Sequence, residues 1–276
     1  GISNDNIVRN NYVHLLRNSG NTLHNTAGIM VLVANRNLIE HNDVDAGGGT
    51  VYSAYGQKAG DINYNVWRRN IARNAQVGFL GMGSTDNTKY SSDNDFYENI
   101  IYNMTIGAFS LDHNSRRFRI YNNTVYNVKV FLDGGYQADG KSGNTQIQCW
   151  NNLIVASTRG YYRGPSTVSW PYLLSYADYN LFNTVSSVGV WNWGSASYPT
   201  LSSWKTATGF DPHSLVDNPA FLDPAKADFH LSSTSPAKGK GRYGEDLGAY
   251  PTGSGTVGPT GSLPYSTFIS PNSLYQ

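Results

Sequence analysis

The chain has 276 residues, and 20 Lys and Arg against 19 Asp and Glu give a formal net charge of +1. That balance argues against a nucleic-acid binder that relies on a strongly basic surface. Asparagine, with 30 residues, outnumbers Lys and Arg together, and because Asn and Gly are poor helix formers the composition excludes a helix-rich fold.

An asparagine recurs every 24 to 31 residues through the first two-thirds of the chain, at Asn11, Asn42, Asn70, Asn99, Asn123, Asn152 and Asn180. Mostly apolar residues lie three positions before and two positions after it, and a third apolar patch follows in most repeats. Each repeat therefore holds about three short β-like segments separated by Asn, Gly and Ser. This pattern predicts an all-β fold: a right-handed parallel β-helix with three short strands per coil and at least seven coils.

The recurring asparagine has a physical role in such a fold. A buried Asn at a coil corner satisfies backbone groups of the turn and bonds the Asn of the next coil, forming a ladder. We therefore expect Asn99 and Asn123 to be buried and bonded to the backbone and to neighbouring coils.

Three regions follow from this repeat: β-helix coils over 1–183, the last coils and an irregular C-terminal cap over 184–250, and a Gly- and Pro-rich linker or tail over 251–276. The coil pattern is already present at Asn6. An uncovered end coil has unpaired backbone groups, which favour edge-to-edge association. We therefore expect an N-terminal fragment or another chain to stack on the first coil. The longest apolar run, 28–34, is too short to span a bilayer.

The C-terminal region carries three motifs: Asn-Pro-Ala-Phe-Leu-Asp-Pro-Ala at 218–225, Ser-Pro-Ala-Lys-Gly at 235–239 and Asp-Leu-Gly-Ala-Tyr at 246–250. With the coil pattern, they resemble secreted bacterial right-handed parallel β-helix repeat proteins of the polysaccharide lyase-like superfamily. Many of these are polysaccharide lyases or related carbohydrate-active enzymes. The resemblance implies a polysaccharide partner and an extracellular or cell-surface location, although no signal peptide is present in the sequence.

Alternation along the first strand of each coil predicts which side chains point outward. From the fourth coil onward this face carries aromatic rings, guanidinium groups and carboxylates, which suit sugar rings and their hydroxyl or carboxylate groups. The predicted substrate-binding residues are Arg68, Asp95, Tyr121, Gln148 and Trp150. The alternative is that exposed strand faces favour such residues for cross-strand packing alone.

A polysaccharide lyase needs a base and a cation that stabilises the developing enolate. His113 or Tyr97 is the predicted base, Arg119 or Arg117 the predicted cation, and Asp112 adjoins His113. The leading hypothesis is therefore β-elimination on an acidic, uronate-containing glycan. Three alternatives stay open: a glycoside hydrolase using paired Asp residues, a non-catalytic glycan-binding or structural β-helix of the adhesin or tailspike kind, and a plain polar turn at Asp112-His113.

Metal and cofactor signals are weak. Cys149 is the only cysteine, which excludes an intrachain disulfide and a Cys-based zinc or iron–sulfur site. The carboxylate pairs Asp43/Asp45 and Asp93/Asp95 have the character that calcium prefers, but neither has EF-hand spacing. We therefore predict no metal site and no cofactor, with calcium the one ion that the sequence leaves open.

Overall fold

The computed structural model describes residues 4–14, 27–56, 60–84, 88–134, 145–163, 173–184, 191–193 and 196–260. In the first half of the chain the strands are β1 (Ile7–Arg9), β2 (Tyr12–His14), β3 (Ala27–Leu32), β4 (Leu38–Glu40), β5 (Asp43–Asp45), β6 (Thr50–Tyr55), β7 (Ile62–Asn63), β8 (Val66–Arg68), β9 (Ile71–Met82), β10 (Ser91–Ser92), β11 (Asp95–Tyr97), β12 (Ile100–Asp112), β13 (Ser115–Arg116), β14 (Arg119–Tyr121) and β15 (Thr124–Asp133).

In the second half they are β16 (Ile147–Trp150), β17 (Leu153–Ser157), β18 (Arg159–Arg163), β19 (Leu174–Asp178), β20 (Leu181–Thr184), β21 (Trp191–Trp193), β22 (Ala196–Tyr198), β23 (Leu215–Val216), β24 (Phe221–Asp223) and β25 (Asp228–Leu231). The α-helix α1 covers Leu201–Thr208, and Pro224–Lys226 form a short 3-10 helix.

Parallel strands from successive coils stack into long sheets, which confirms the predicted β-helix. Sheet 1 has seven strands in the order β1-β4-β8-β11-β14-β16-β19. Sheet 2 is built along β2-β5-β9-β12-β15-β17-β20-β23, and the small sheet 3 joins β7, β10 and β13. The prediction of at least seven coils was too high, since the solenoid makes about five turns. Seven registers form sheet 1, but its two end strands pair on one side only within the described chain.

The predicted asparagine ladder is confirmed. Asn99 and Asn123 are fully buried, and Asn99 Nδ2 donates to Asn123 Oδ1 and to the carbonyl oxygen of Trp67, both at 3.0 Å. The same side-chain contact repeats along all seven predicted asparagines. A second ladder, which the sequence interpretation missed, runs along the preceding corner through Asn6, Asn37, Asn65 and Asn94.

The corners explain why asparagine recurs. The residue before each asparagine of the first ladder has a left-handed backbone, with φ between 51° and 58°, although none of these residues is glycine: Asn10, His41, Arg69, Glu98, Asn122, Asn151 and Tyr179. Such a conformation is unfavourable for most L-residues. The ladder stabilises it because the side-chain Oδ1 of each asparagine from Asn42 to Asn180 accepts from the backbone amide of the ladder asparagine one coil earlier, directly after the left-handed residue.

The core lies inside the coils, where one inward side chain from each strand of sheet 1 stacks on the next. Trp67 and Phe96 stack with ring centroids 4.8 Å apart, and Ile120 and Cys149 continue the column in full burial. The inward column is the one that the sequence pattern predicted. Its register fixes which neighbouring positions face outward on sheet 1.

Helix α1 lies at the C-terminal end of the coils, where the ladder also ends. Thr200 and Ser203 form a capping box at its first turn, and Trp204 is fully buried against the end of the core. Trp204 Nε1 donates to Asp211 Oδ2 at 2.9 Å, and Asn180 Nδ2 donates to Asp211 Oδ1 at 3.0 Å. A buried aspartate therefore replaces asparagine as the last member of the ladder.

The chain then runs back along the coils towards the first one. Gly248 N donates to the carbonyl oxygen of Asn151, Gly258 N to that of Arg69, and Thr260 N to Asn10 Oδ1, at 2.8 to 3.0 Å. The predicted region boundaries stay predictions, but 251–260 lie against the β-helix in this structure. Within the described residues, no helix is long and apolar enough to cross a membrane.

Candidate functional site

The outward side chains of sheet 1, called here the outer face, carry most of the predicted site residues. Strand register places Tyr97, Tyr121 and Trp150 in one row across three coils, with Arg68 before them. A parallel row, two residues earlier on each strand, contains Asp95, Arg119 and Gln148. The outer face therefore brings together seven of the ten predicted residues.

The aromatic row is packed ring against ring. The centroids of Tyr97 and Tyr121 lie 4.8 Å apart at 11°, and those of Tyr121 and Trp150 lie 4.4 Å apart at 2°. The edge of Tyr176 meets Trp150 at 6.2 Å, and Arg68 Nη1 donates to the Tyr97 hydroxyl at 3.2 Å. All three rings are partly exposed, as expected, but each of their packed faces is covered by a neighbour. The ring faces that pack between Tyr97, Tyr121 and Trp150 are therefore closed to a sugar ring, and the binding of sugars along this row stays a prediction.

A groove of about 570 Å³ opens beside this row. It is lined by Tyr64, Asp93, Arg117, Arg119, Gln146, Gln148 and Ser175. Arg117 lies on the corner before β14, and Arg119 is the first residue of that strand. The groove therefore combines guanidinium, amide, carboxylate and hydroxyl groups from several adjacent coils.

Each arginine of the groove is held by a carboxylate from the preceding coil. Arg117 Nε donates to Asp93 Oδ1 at 2.7 Å, and Arg119 Nη2 donates to Asp95 Oδ2 at 2.6 Å; both pairs are bidentate. The hydrogen bonds from Arg117 lower the pKa of Asp93. Burial raises the pKa of Asp95 despite the opposing effect of Arg119. Each arginine bonds its carboxylate through Nε and Nη2, so the Nη1 atom of each has no partner among the described residues.

His113 and Asp112 lie elsewhere. Asp112 ends β12, and His113 follows in the turn that leads to β13, where its φ of 32° and that of Asn114 (55°) are left-handed. The backbone amide of His113 donates to Asp112 Oδ1 at 3.1 Å, and the carbonyl oxygen of His113 accepts from Gly83 N. Neither side chain lines the groove, so the structure does not bring the expected base His113 beside Arg117 and Arg119.

Sequence reasoning missed a histidine–aspartate pair on the outer face. Asp178 continues the aromatic row directly after Trp150, and His213 Nδ1 lies 2.7 Å from its Oδ2. The backbone amides of Tyr179 and His213 donate to Asp178 Oδ1 at 2.8 and 2.7 Å. No sequence signal pairs these residues, because the chain leaves β19, forms α1 and returns before His213 covers Asp178.

Arg242 lies near this pair. Its guanidinium carbon is 4.9 Å from the centroid of the Tyr176 ring, and its amide donates to Asn151 Oδ1 at 3.0 Å. Tyr176 and Asp178 are two residues apart on β19, so their Cα atoms are about 7 Å apart and their side chains lie on the same side of the strand. A cation and a histidine–aspartate pair therefore share the C-terminal end of the outer face.

The two carboxylate pairs considered for calcium are bonded to arginine. Arg73 bonds both oxygens of Asp43, at 2.9 and 3.0 Å, and its Nη1 lies 3.8 Å from Asp45 Oδ2; Asp93 and Asp95 bond the groove arginines. In the part of the chain that the structure describes, no group of three or more His, Cys, Asp or Glu side chains is placed to hold a metal ion. A calcium site stays an untested expectation.

The chain resembles a known protein over part of its length, and that similarity identifies no activity. No family model matches the chain. The chain is 26% identical over 188 residues to the uncharacterized protein YwoF of Bacillus subtilis (strain 168), a match that covers 53% of this chain and 38% of that protein. The chain thus spans well under half the length of this relative. Because that protein is itself uncharacterized, the similarity assigns no substrate.

Proposed function

We propose that this chain is a carbohydrate-active β-helix protein that binds an acidic, uronate-containing polysaccharide on its outer face and cleaves it as a lyase. The groove carries the proposal, because two carboxylate-oriented guanidinium groups, two amides and hydroxyl groups meet there. Guanidinium groups bind carboxylates with high geometric specificity, and amides bond sugar hydroxyls as both donor and acceptor. The β-helix fold is compatible with carbohydrate-active proteins.

Arg117 and Arg119 are the proposed uronate ligands. Asp93 and Asp95 bond Nε and Nη2 of these arginines and so fix the orientation of the guanidinium planes, which leaves Nη1 to bond a uronate carboxylate. Pairing with a cation makes the C–H bond next to a uronate carboxylate more acidic, which β-elimination requires. In line with the resemblance of the C-terminal motifs, we extend the proposal to a secreted protein acting outside the cell or at its surface.

Glycoside hydrolysis is the second candidate, because Asp93 and Asp95 lie two residues apart and both contact arginines of the groove. The pKa of Asp95 is raised by burial, while that of Asp93 is lowered by Arg117. Two neighbouring carboxyls whose pKa values are moved in opposite directions suit a proton donor and a base. In that reaction Asp95 would protonate the glycosidic oxygen.

A panel of uronate-containing and neutral polysaccharides tests these functions. Elimination creates an unsaturated product with strong ultraviolet absorbance, so a gain in absorbance on uronate substrates alone supports the lyase. New reducing ends without absorbance, abolished by Asp95→Asn, support hydrolysis. Binding without either product assigns a non-catalytic glycan-binding role, and no binding to any uronate polymer rejects the proposal.

A further inference from the structure

We infer that His213 is the general base of this site, that Asp178 orients it, and that Arg242 is the cation beside it. This inference rests on the proposed lyase function and names a base at a different place from His113 and Tyr97, the two bases predicted from the sequence. It concerns the C-terminal end of the outer face, one strand beyond Trp150.

The hydrogen bonds fix the imidazole in one tautomer. Asp178 is 5% exposed, and its carboxylate accepts from two backbone amides, so its position is set by the fold. A carboxylate is an acceptor only, so His213 Nδ1 at 2.7 Å must carry the proton. The lone pair is then on Nε2, which bonds no described residue. This is the arrangement in which an aspartate orients a histidine base.

The ring is also held in place and open to a ligand. His213 stacks on Tyr179 with centroids 4.8 Å apart at 13°, while its side chain remains 61% exposed. The imidazole is thus oriented by a buried carboxylate on one edge and by a tyrosine ring on one face, although most of it is exposed. Burial alone does not account for the pair, since the ring is outside the core.

The pair is continuous with the groove. Ser175 lines the groove, and Asp178 lies three residues further along the same strand, about 10 Å away. A polysaccharide bound by Arg117 and Arg119 and extended across the coils therefore reaches His213 with a later sugar unit. Arg242, which forms no ion pair with a described residue, would pair with the carboxylate of that unit.

The proposed reaction is a β-elimination that breaks the glycosidic bond. His213 Nε2 takes the proton from the carbon next to the uronate carboxylate, while Arg242 stabilises the developing negative charge. The electron pair of that C–H bond forms the new carbon–carbon double bond, and the neighbouring C–O glycosidic bond breaks. The departing oxygen takes a proton from water, and the imidazolium later loses its proton to solvent.

The variants His213→Ala, Asp178→Asn and His230→Ala in the full chain test this assignment. His230 is the matched control, because it also bonds an aspartate, Asp228 at 2.6 Å, and stacks on a tyrosine ring, but it lies on β25 outside the outer face. We expect His213→Ala to lower the elimination rate by about 100-fold or more. Its affinity for the polysaccharide should change by no more than about two-fold. Added imidazole should restore part of the rate, and His230→Ala should behave as the wild type.

Asp178→Asn should lower kcat with KM unchanged, since it disturbs the orientation of the base rather than binding. Retained activity in His213→Ala, or a loss that imidazole does not rescue and that follows the melting temperature, overturns the assignment while the lyase proposal stands. A wild type that binds uronate polymers without eliminating them overturns both the base role and the lyase reaction, but leaves glycan binding intact.

Discussion

At the scale of single residues, a ladder asparagine makes several hydrogen bonds with one side chain. The side chain of Asn99 accepts from the backbone and side-chain nitrogens of Asn70, at 3.0 and 3.1 Å, and donates to Trp67 and Asn123. All of these groups are buried. A buried polar group that loses its partner costs far more than the bond itself contributes.

Asn99→Leu should therefore destabilise the protein by about 1–3 kcal/mol for each group left unsatisfied. Chemical unfolding measures this. Asn103→Gly is the control, because Asn103 is exposed, its side chain bonds only those of the exposed Asn74 and Asn127, and glycine suits its left-handed φ of 58°; its effect should stay within about 0.5 kcal/mol. Equal stability of Asn99→Leu and wild type would show that the ladder does not hold the coils together.

Asp211, at the end of the ladder, makes the free energy of unfolding depend on pH. Burial raises its pKa above the ordinary value of 3.8, although Ser214, Asn180 and Trp204 donate to the carboxylate. The folded chain thus binds this proton more tightly than the unfolded chain. Its contribution to the free energy of unfolding is therefore full below pH 3.8 and declines as the pH rises through the folded-state pKa.

Asp211→Asn removes this titration. We expect the stability of the wild type relative to Asp211→Asn to fall as the pH increases from about 4 towards neutrality. Urea unfolding of both proteins across that range measures the difference. A difference that stays constant, or that grows with pH, would contradict the assignment of a raised pKa to this buried carboxyl.

At the scale of elements, the strand pattern of the outer face suits two roles: packing between neighbouring coils and contact with a polysaccharide. The short strands of sheet 1 place like residues above one another, so Tyr97, Tyr121 and Trp150 stack. The alternation of side chains predicted that these rings share a surface. It did not predict that the rings cover each other's faces, because strand periodicity gives the side of the sheet but not the rotamers.

Trp150→Ala tests whether this ring acts mainly in packing between the coils or in polysaccharide binding. We expect a loss of stability of about 0.5–1.5 kcal/mol per ring contact removed, with little change in polysaccharide affinity. Thermal unfolding and a binding titration measure the two effects. Tyr243→Ala is the control for stability, because Tyr243 is 81% exposed. Weaker binding without a lower melting temperature would restore Trp150 as a sugar-stacking residue.

At the scale of the whole molecule, the repeat made the architecture predictable. Asparagine spacing and the inward apolar column reveal the coils because each coil repeats the same local requirements. The candidate base did not follow from sequence, since His213 reaches Asp178 only after the chain passes through α1. His113 precedes β13 and Arg117 follows it, so their closeness along the chain does not place His113 in the groove that Arg117 lines.

The C-terminal segment holds several coils together, and Gly258 tests this role. Its φ of 90° is left-handed, its amide bonds Arg69, and an added Cβ would lie 2.8 Å from Ile71 Cδ1. Gly258→Ala should destabilise the protein by about 1–3 kcal/mol and speed proteolysis of the segment. Gly255→Ala is the control, because Gly255 also has a positive φ but an added Cβ there would have no atom within 4 Å. A larger effect of Gly258→Ala would therefore measure the contact of Gly258 with the coils. Equal effects of the two variants would contradict this role.

The binding of uronate polysaccharides to an arginine-deleted groove tests the central proposal most directly. Arg117→Ala combined with Arg119→Ala should weaken affinity at least about ten-fold relative to the wild type. Arg36→Ala is the control, because Arg36 bonds Asp5 in the same bidentate geometry on an earlier corner but does not line the groove. Calorimetric titration with uronate and neutral polymers should show uronate binding that only the double variant loses. Unchanged affinity in the double variant, or equal binding of neutral polymers, would contradict the account.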